Sequence, residues 1–151
     1  MADPTDPAIP PNSIVFGFGP MLPIVAGGAG AWLLPGIWPL LAVQATILWG
    51  ALILVFVAGV RRGFGFGSPR ASTPTEIATM LLYFLLAIAA IAVSRLPLAL
   101  ALLMIGFALV ALLDRRAALT GDAPAHFARL RPPQMLLGIV GFAAALARTI
   151  A

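Results

Sequence analysis

Between Pro7 and Val60 the chain runs for 54 residues without an aspartate, glutamate, arginine, lysine or histidine. As one helix that run would be about 80 Å long at roughly 1.5 Å per residue, against a hydrocarbon core of about 30 Å. It has to turn back, and the one strong turn inside it is PGIWP at Pro35 to Pro39. The turn predicts a first span from about Ile14 to Leu34 and a second from about Leu40 to Val60. Trp32 and Trp38 flank the turn, where indole rings sit well at a membrane interface. Composition agrees: with 62% hydrophobic and 9% charged residues in 151, the chain has too little charge to coat a water-soluble domain.

Three further apolar runs follow. The third opens on Thr73, Pro74 and Glu76, which supply an N-cap hydroxyl, a proline at the first helical position and a glutamate two residues on. It predicts a helix over 74–93. SRLP at Ser94 to Pro97 makes a tight reversal into a fourth span over 97–113. A longer polar connection leads to a fifth span over 133–148, short enough to need the Arg148 stem reaching back to the boundary. Inside the connection, Pro124 is expected to start an interfacial turn or two that Pro132 ends. Phe127 and Leu130 would then face lipid while Arg129 and Arg131 reach headgroups. The resulting organisation is all-α: an extended tail over 1–13 and an integral membrane bundle of five transmembrane helices over 14–151. The tail has two aspartates and no basic start, unlike a signal peptide.

All nine basic residues are arginine, and the net charge is +4. Five spans put the termini on opposite sides. Arg61, Arg62, Arg70, Arg115, Arg116, Arg129 and Arg131 then share one face, and only Arg95 and Arg148 lie on the other. That bias predicts a multi-pass protein of a bacterial inner membrane with its N-terminus inside and its C-terminus outside. The seven are expected to anchor on lipid headgroups, with no nucleic acid as partner. GVRRGFGFGSPR, Gly59 to Arg70, looks like a phosphate loop but follows an apolar helix instead of a β-strand and carries no lysine. It is better explained as the turn between spans two and three, leaving open whether Phe64 and Phe66 meet lipid or protein.

Residues that carry chemistry are few. Cysteine is absent, which removes disulfides and thiolate sites. His126 is the sole histidine, and Asp114 and Asp122 lack ligand spacing, so neither a metal nor a cofactor is expected. Asp114 is expected to offset the repulsion of Arg115 and Arg116 at a helix end. By these boundaries no span holds an ionised residue away from its ends, whereas coupled transporters bury such groups near the midplane. The polar candidates Gln44, Thr46, Thr79 and Tyr83 are expected to hydrogen-bond between helices. Pro20 and Pro23 interrupt the first span; Gly27, Gly28 and Gly30 there, with Gly138 and Gly141 in the fifth, mark close helix packing.

GPMLPIVAGGAGAW (Gly19 to Trp32), WGALILVFVAGVRRG (Trp49 to Gly63), LLDRRAALTG (Leu112 to Gly121) and APAHFARLRPP (Ala123 to Pro133) occur in that order. Together they resemble the family of small five-helix membrane proteins that includes transmembrane protein 69 and bacterial relatives. The resemblance covers about 16–150. It departs at Arg62, where relatives tend to have tryptophan, and at His126, where they tend to have an aromatic. It implies a five-helix fold in a bacterial or mitochondrial inner membrane and supplies no function.

The function expected from the residues is non-enzymatic: an accessory subunit or assembly factor that packs glycine-rich faces against other integral membrane proteins of a larger complex. The alternative is a small transporter or lipid-handling protein using the Pro20 and Pro23 break with Gln44 and Thr46 as its polar site. A membrane enzyme built on His126, Asp114 and the loop arginines ranks third.

Overall fold

The computed structural model describes residues 8–64 and 73–151, and every regular element among them is helical. The first span is α1 (Pro11–Phe18), a 3-10 turn (Gly19–Met21) and α2 (Leu22–Leu33) in continuous succession. The others are α3 (Trp38–Gly63), α4 (Pro74–Ala92), α5 (Leu96–Thr120) and α6 (Phe127–Ile150). Five helical stretches are therefore long and apolar enough to cross a bilayer. The shortest, α4 with 19 residues, still covers about 28 Å at roughly 1.5 Å per residue.

The break in the first span follows from its prolines. Pro20 and Pro23 have no N–H, so the carbonyls of Phe16 and Gly19 lose the donors four residues on. The Gly19 carbonyl instead accepts from the nearer Leu22 N–H, which tightens the chain into a 3-10 turn. Two more carbonyls around the break are taken by other helices: Trp49 Nε1 donates to Pro20 O and Gln134 Nε2 to Gly17 O, both at 2.9 Å. The start of α4 carries the expected reciprocal cap, with Glu76 N donating to Thr73 Oγ1 and Thr73 N to Glu76 Oε2.

Four boundaries differ from the sequence expectation by three residues or more, among them the end of α3, which runs past Val60 to Gly63 and takes in Arg61 and Arg62. Pro11 already opens α1, so the extended tail does not reach residue 13; residues 1–7 lie outside the described residues. Helix α5 runs past Leu113 to Thr120, where Gly121 at φ 83° closes it and the Asp122 N–H returns to Ala117 O at 2.8 Å. Helix α6 begins at Phe127 instead of Pro133 and is continuous through Pro132 and Pro133. These prolines deprive only Ala128 and Arg129 of a donor, and both lie in the first turn at the bundle's end. The expected interfacial helix is therefore the first turns of α6.

Packing between spans relies on close approach, because lipid tails are as apolar as the side chains they would displace. A Cβ on Gly28 would overlap the Gly141 carbonyl, and one on Gly141 would come within 2.7 Å of Ile24 O. Backbone thus touches backbone where α2 crosses α6. In the middle of the bundle Phe107 and Phe142 meet edge to face, centroids 4.9 Å apart. Phe107 rests on Gly138 and Phe142 on Gly50. Outward-facing Phe56, Leu85, Leu112 and Leu136 are more than half exposed, the surface a bilayer would cover.

Candidate functional site

Extending the buried stripe of each helix toward the arginine-rich end leads to a polar residue. On α3 the stripe Leu54, Val57, Ala58 continues to Arg61; on α5 Phe107, Val110 continues to Asp114. Helix α6 begins its stripe with Arg131 and Gln134, and on α4 the stripe Ala90, Ala87, Tyr83 continues through Thr79 to Glu76. All are buried: Arg61 is 4% exposed, Asp114 1% and Arg131 6%. Asp114 lies six residues, or about 9 Å at roughly 1.5 Å per residue, inside the end of α5.

These residues meet. Arg131 Nε lies 3.3 Å from Asp114 Oδ2, and the Tyr83 hydroxyl donates to Asp114 Oδ1 at 3.2 Å. Arg131 Nη1 donates to Gln134 Oε1 at 3.1 Å, and Gln134 passes the connection on to Gly17 O. Above this, the Arg131 guanidinium sits 4.3 Å from the centre of the Phe127 ring, which meets Phe64 edge to face with centroids 5.5 Å apart. Arg61 is close enough for its charge to act on Asp114 and Tyr83, yet its Nε and Nη1 have no hydrogen-bond partner among the described residues. One network therefore receives a group from every span, and besides Arg61, Arg131 and Asp114 the described residues bury a fourth charged side chain, Glu76, at the start of α4.

Beside the cluster, a groove of about 450 Å³ lies between α1, α3 and α6. Its walls are apolar, among them Phe16, Met21, Trp49, Ile53, Val57 and Leu130, while Ser13, Arg131 and Gln134 supply its polar atoms. Phe16 and Phe56 on the rim are strongly exposed, so the groove opens sideways from the bundle. His126 is half-buried outside α6, edge to face with Phe127 at 5.0 Å. Burial, and then the Arg131 charge, hold its pKa below the ordinary imidazole value. Among the described residues no three histidine, cysteine or acidic side chains gather as a metal site.

The placement corrects several expectations. Arg61 and Arg131 do not reach headgroups, because both are buried in the cluster; Asp114 pairs with Arg131 across helices instead of offsetting Arg115 and Arg116. The spans do contain ionised residues away from the expected ends, since α3, α5 and α6 are longer than expected and take in Arg61, Asp114 and Arg131. Leu130 is buried and Phe127 half-buried, so neither forms a lipid-facing turn. Arg115, Arg116 and Arg129 are exposed, Arg62 is half-buried, and Arg70 lies outside the described residues, as does Phe66. Gln44 is exposed in a separate pocket of about 270 Å³ with Ala90 and Ser94, away from the Pro20 break. Thr46 bonds back to Ala42 O at 2.7 Å and Thr79 to Thr75 O at 2.7 Å, each within its own helix; only Tyr83 of the four candidates bonds across helices. Gly27 lies against Thr46, and Gly30 beside Leu34 and Ala42.

Fold and site define a multi-pass helical membrane protein whose spans converge on a buried charged network. Within that class, the chain belongs to the family described as "Protein of unknown function (DUF3429)", which matches residues 9–147. Compared with curated proteins and with solved structures, it matches none.

Proposed function

We propose that the protein handles an amphipathic molecule of the membrane, taking its hydrocarbon chain sideways from the bilayer into the groove between α1, α3 and α6, with no catalysis of its own. The groove carries this reading. Its volume falls within the roughly 300–1,000 Å³ of small-molecule sites, and its apolar wall with few polar atoms is the composition of such sites. The polar site of this lipid-handling reading moves from Gln44 and Thr46 to Arg131 and Gln134. The test is lipid retention by the protein purified in mild detergent, read by native mass spectrometry. Wild-type protein should retain one lipid-sized molecule, and Leu52→Trp, on the groove wall, should release it. No retained molecule, or equal retention by the variant, would sink the reading.

A second reading, an accessory subunit or assembly factor, draws support from α4. That helix packs chiefly against α3 and α5 and leaves Leu81, Leu82, Phe84, Leu85, Ile88 and Ile91 outward. So wide an apolar face accepts a helix of another membrane protein as readily as lipid. Crosslinking from α4 followed by native-gel fractionation checks it: a stoichiometric assembly supports it, and a lone monomer does not. We further propose that the chain lies in a bacterial inner membrane with its N-terminus inside, the orientation that the arginine bias favours.

A further inference from the structure

We propose that the groove holds one acyl chain of a glycerophospholipid from the leaflet at the arginine-rich end, with the head and the second chain left outside, and that Trp49 sets the longest chain it accepts. The proposal rests on the groove reading and adds the class of ligand and the residue that selects its length.

The shape of the groove follows from the break in the first span. Helix α1 rests on α6, with Gly17 against Leu130 and Gln134, and hardly approaches α3. Beyond the prolines the same span closes up: Gly27 lies against Thr46 of α3, and Gly28 against Gly141 of α6. The groove is the wedge left between, and it ends where Trp49 Nε1 donates to Pro20 O. Along α3 it extends from Trp49 to Val60, about 16 Å at roughly 1.5 Å per residue and close to half of the ~30 Å hydrocarbon core. Trp49 lies near the middle of α3, so the closed end is at mid-membrane and the open end, at Ser13 and Val60, is at the boundary. A chain of that leaflet enters sideways at its own depth, methyl end toward Trp49. A volume of about 450 Å³ over that length leaves a section of about 28 Å². With carbons approaching to roughly 3.5–4.0 Å, that section takes one chain and not two.

The polar atoms of the groove argue against a head inside it. Arg131 is paired with Asp114 and bonded to Gln134, Gln134 Nε2 donates to Gly17 O, and the Trp49 N–H goes to Pro20 O. Nor does the neighbourhood call for a counter-ion: among the described residues the buried charged side chains are two arginines, Arg61 and Arg131, and two acids, Asp114 and Glu76. A single-chain acid selected by such a site would need an unpaired cation for its carboxylate, because a buried charge without a partner is costly. A phospholipid keeps its head and second chain in the bilayer. The rim at Phe16, Leu52 and Phe56 is exposed, so the groove is open along its side and the glycerol can join a chain inside to one outside.

The full chain, reconstituted in nanodiscs of phosphatidylcholines graded in acyl length, tests this when the retained lipid is compared with the bulk mixture by native mass spectrometry. One molecule should stay bound, and chains too long for the groove should be depleted about fivefold or more, the lower end of an overpacking penalty. Trp49→Phe and then Trp49→Ala open the closed end by steps and should move the limit to longer chains by steps; the milder variant carries the test if the harsher fails to fold. At one chain length, phosphatidylcholine, phosphatidylethanolamine and phosphatidylglycerol should be retained alike, and an added fatty acid should not displace them. Retention in proportion to the bulk mixture, a limit that both Trp49 variants leave in place, selection by head group, or displacement by the fatty acid overturns the inference. If Leu52→Trp still releases the lipid in those cases, the groove reading stands. A protein that retains no lipid, whether as a monomer or as a dimer seated groove to groove, overturns both.

Discussion

Asp114 is held from two sides, by the Arg131 guanidinium at 3.3 Å and the Tyr83 hydroxyl at 3.2 Å, so its substitutions should separate charge from hydrogen bonding. Asp114→Asn keeps the shape but leaves Arg131 buried without its acid; breaking a buried pair this way should cost about 3–5 kcal/mol. Tyr83→Phe removes one hydrogen bond and should cost about 1 kcal/mol. Unfolding in mixed detergent micelles measures both, and equal losses would mean that Asp114 acts only through Tyr83. His126 gives a pH-dependent counterpart. Its folded pKa is depressed, so near neutral pH and just below it the unfolded chain binds more protons than the folded one. Stability should therefore be complete above the unfolded value of about 6.5. It should fall as pH drops from there and level off below the folded pKa. The single imidazole resonance should titrate with a midpoint below that of a model peptide, and His126→Gln should flatten the stability profile across the same window.

Helix contacts supply the next test, because the glycines differ in what surrounds them. Gly28 lies against the Gly141 backbone, while Gly59 has open space around its missing Cβ. Gly28→Ala forces α2 from α6 and should cost about 1–3 kcal/mol, the usual penalty of overpacking. Gly59→Ala adds a methyl on the outer face and should be neutral or stabilising by about 0.5–1 kcal/mol. Thermal unfolding of the two variants should move in different directions. The same element scale explains what could be foreseen. The PGIWP and SRLP turns and the Thr73 cap were legible because prolines, glycine and a capping box act over a few residues. The cluster was not, because in an apolar sequence a charged residue marks the end of a span. That rule puts Asp114 and Arg131 in a connection, although each continues the stripe of its helix at three- and four-residue steps: Leu103, Phe107, Val110, Asp114 on α5, and Arg131, Gln134, Gly138 on α6. That periodicity was the available signal. Their pairing was beyond it, since the contact joins helices whose relative rotation no local pattern specifies.

Across the whole molecule the two ends are held differently. At one end the cluster ties all five spans together through buried charge. At the other, Trp32 Nε1 donates to Ala144 O at 2.9 Å and Arg148 lies 5.9 Å from the Trp32 ring, a contact on the exposed surface. The asymmetry bears on orientation. Arg115, Arg116 and Arg129 are exposed at the cluster end, and Arg62 and Arg70 belong to the same side by chain order. Burial of Arg61 and Arg131 thus leaves five arginines there against Arg95 and Arg148, and the bias retains its sign. Arginine-rich ends stay on the cytoplasmic side during insertion, and an odd number of spans carries the C-terminus across. A reporter active only outside the cytoplasm should therefore be active when fused after Ala151 and silent when inserted in the Thr120–Pro124 connection. Replacing exposed Arg115, Arg116 and Arg129 with glutamine weakens the bias without touching the Asp114–Arg131 pair, so it should give mixed orientation in a folded bundle. If the Ala151 fusion is silent and the connection fusion active, the cluster and the mouth of the groove beside it face the opposite leaflet, and the arginine bias has misassigned the molecule.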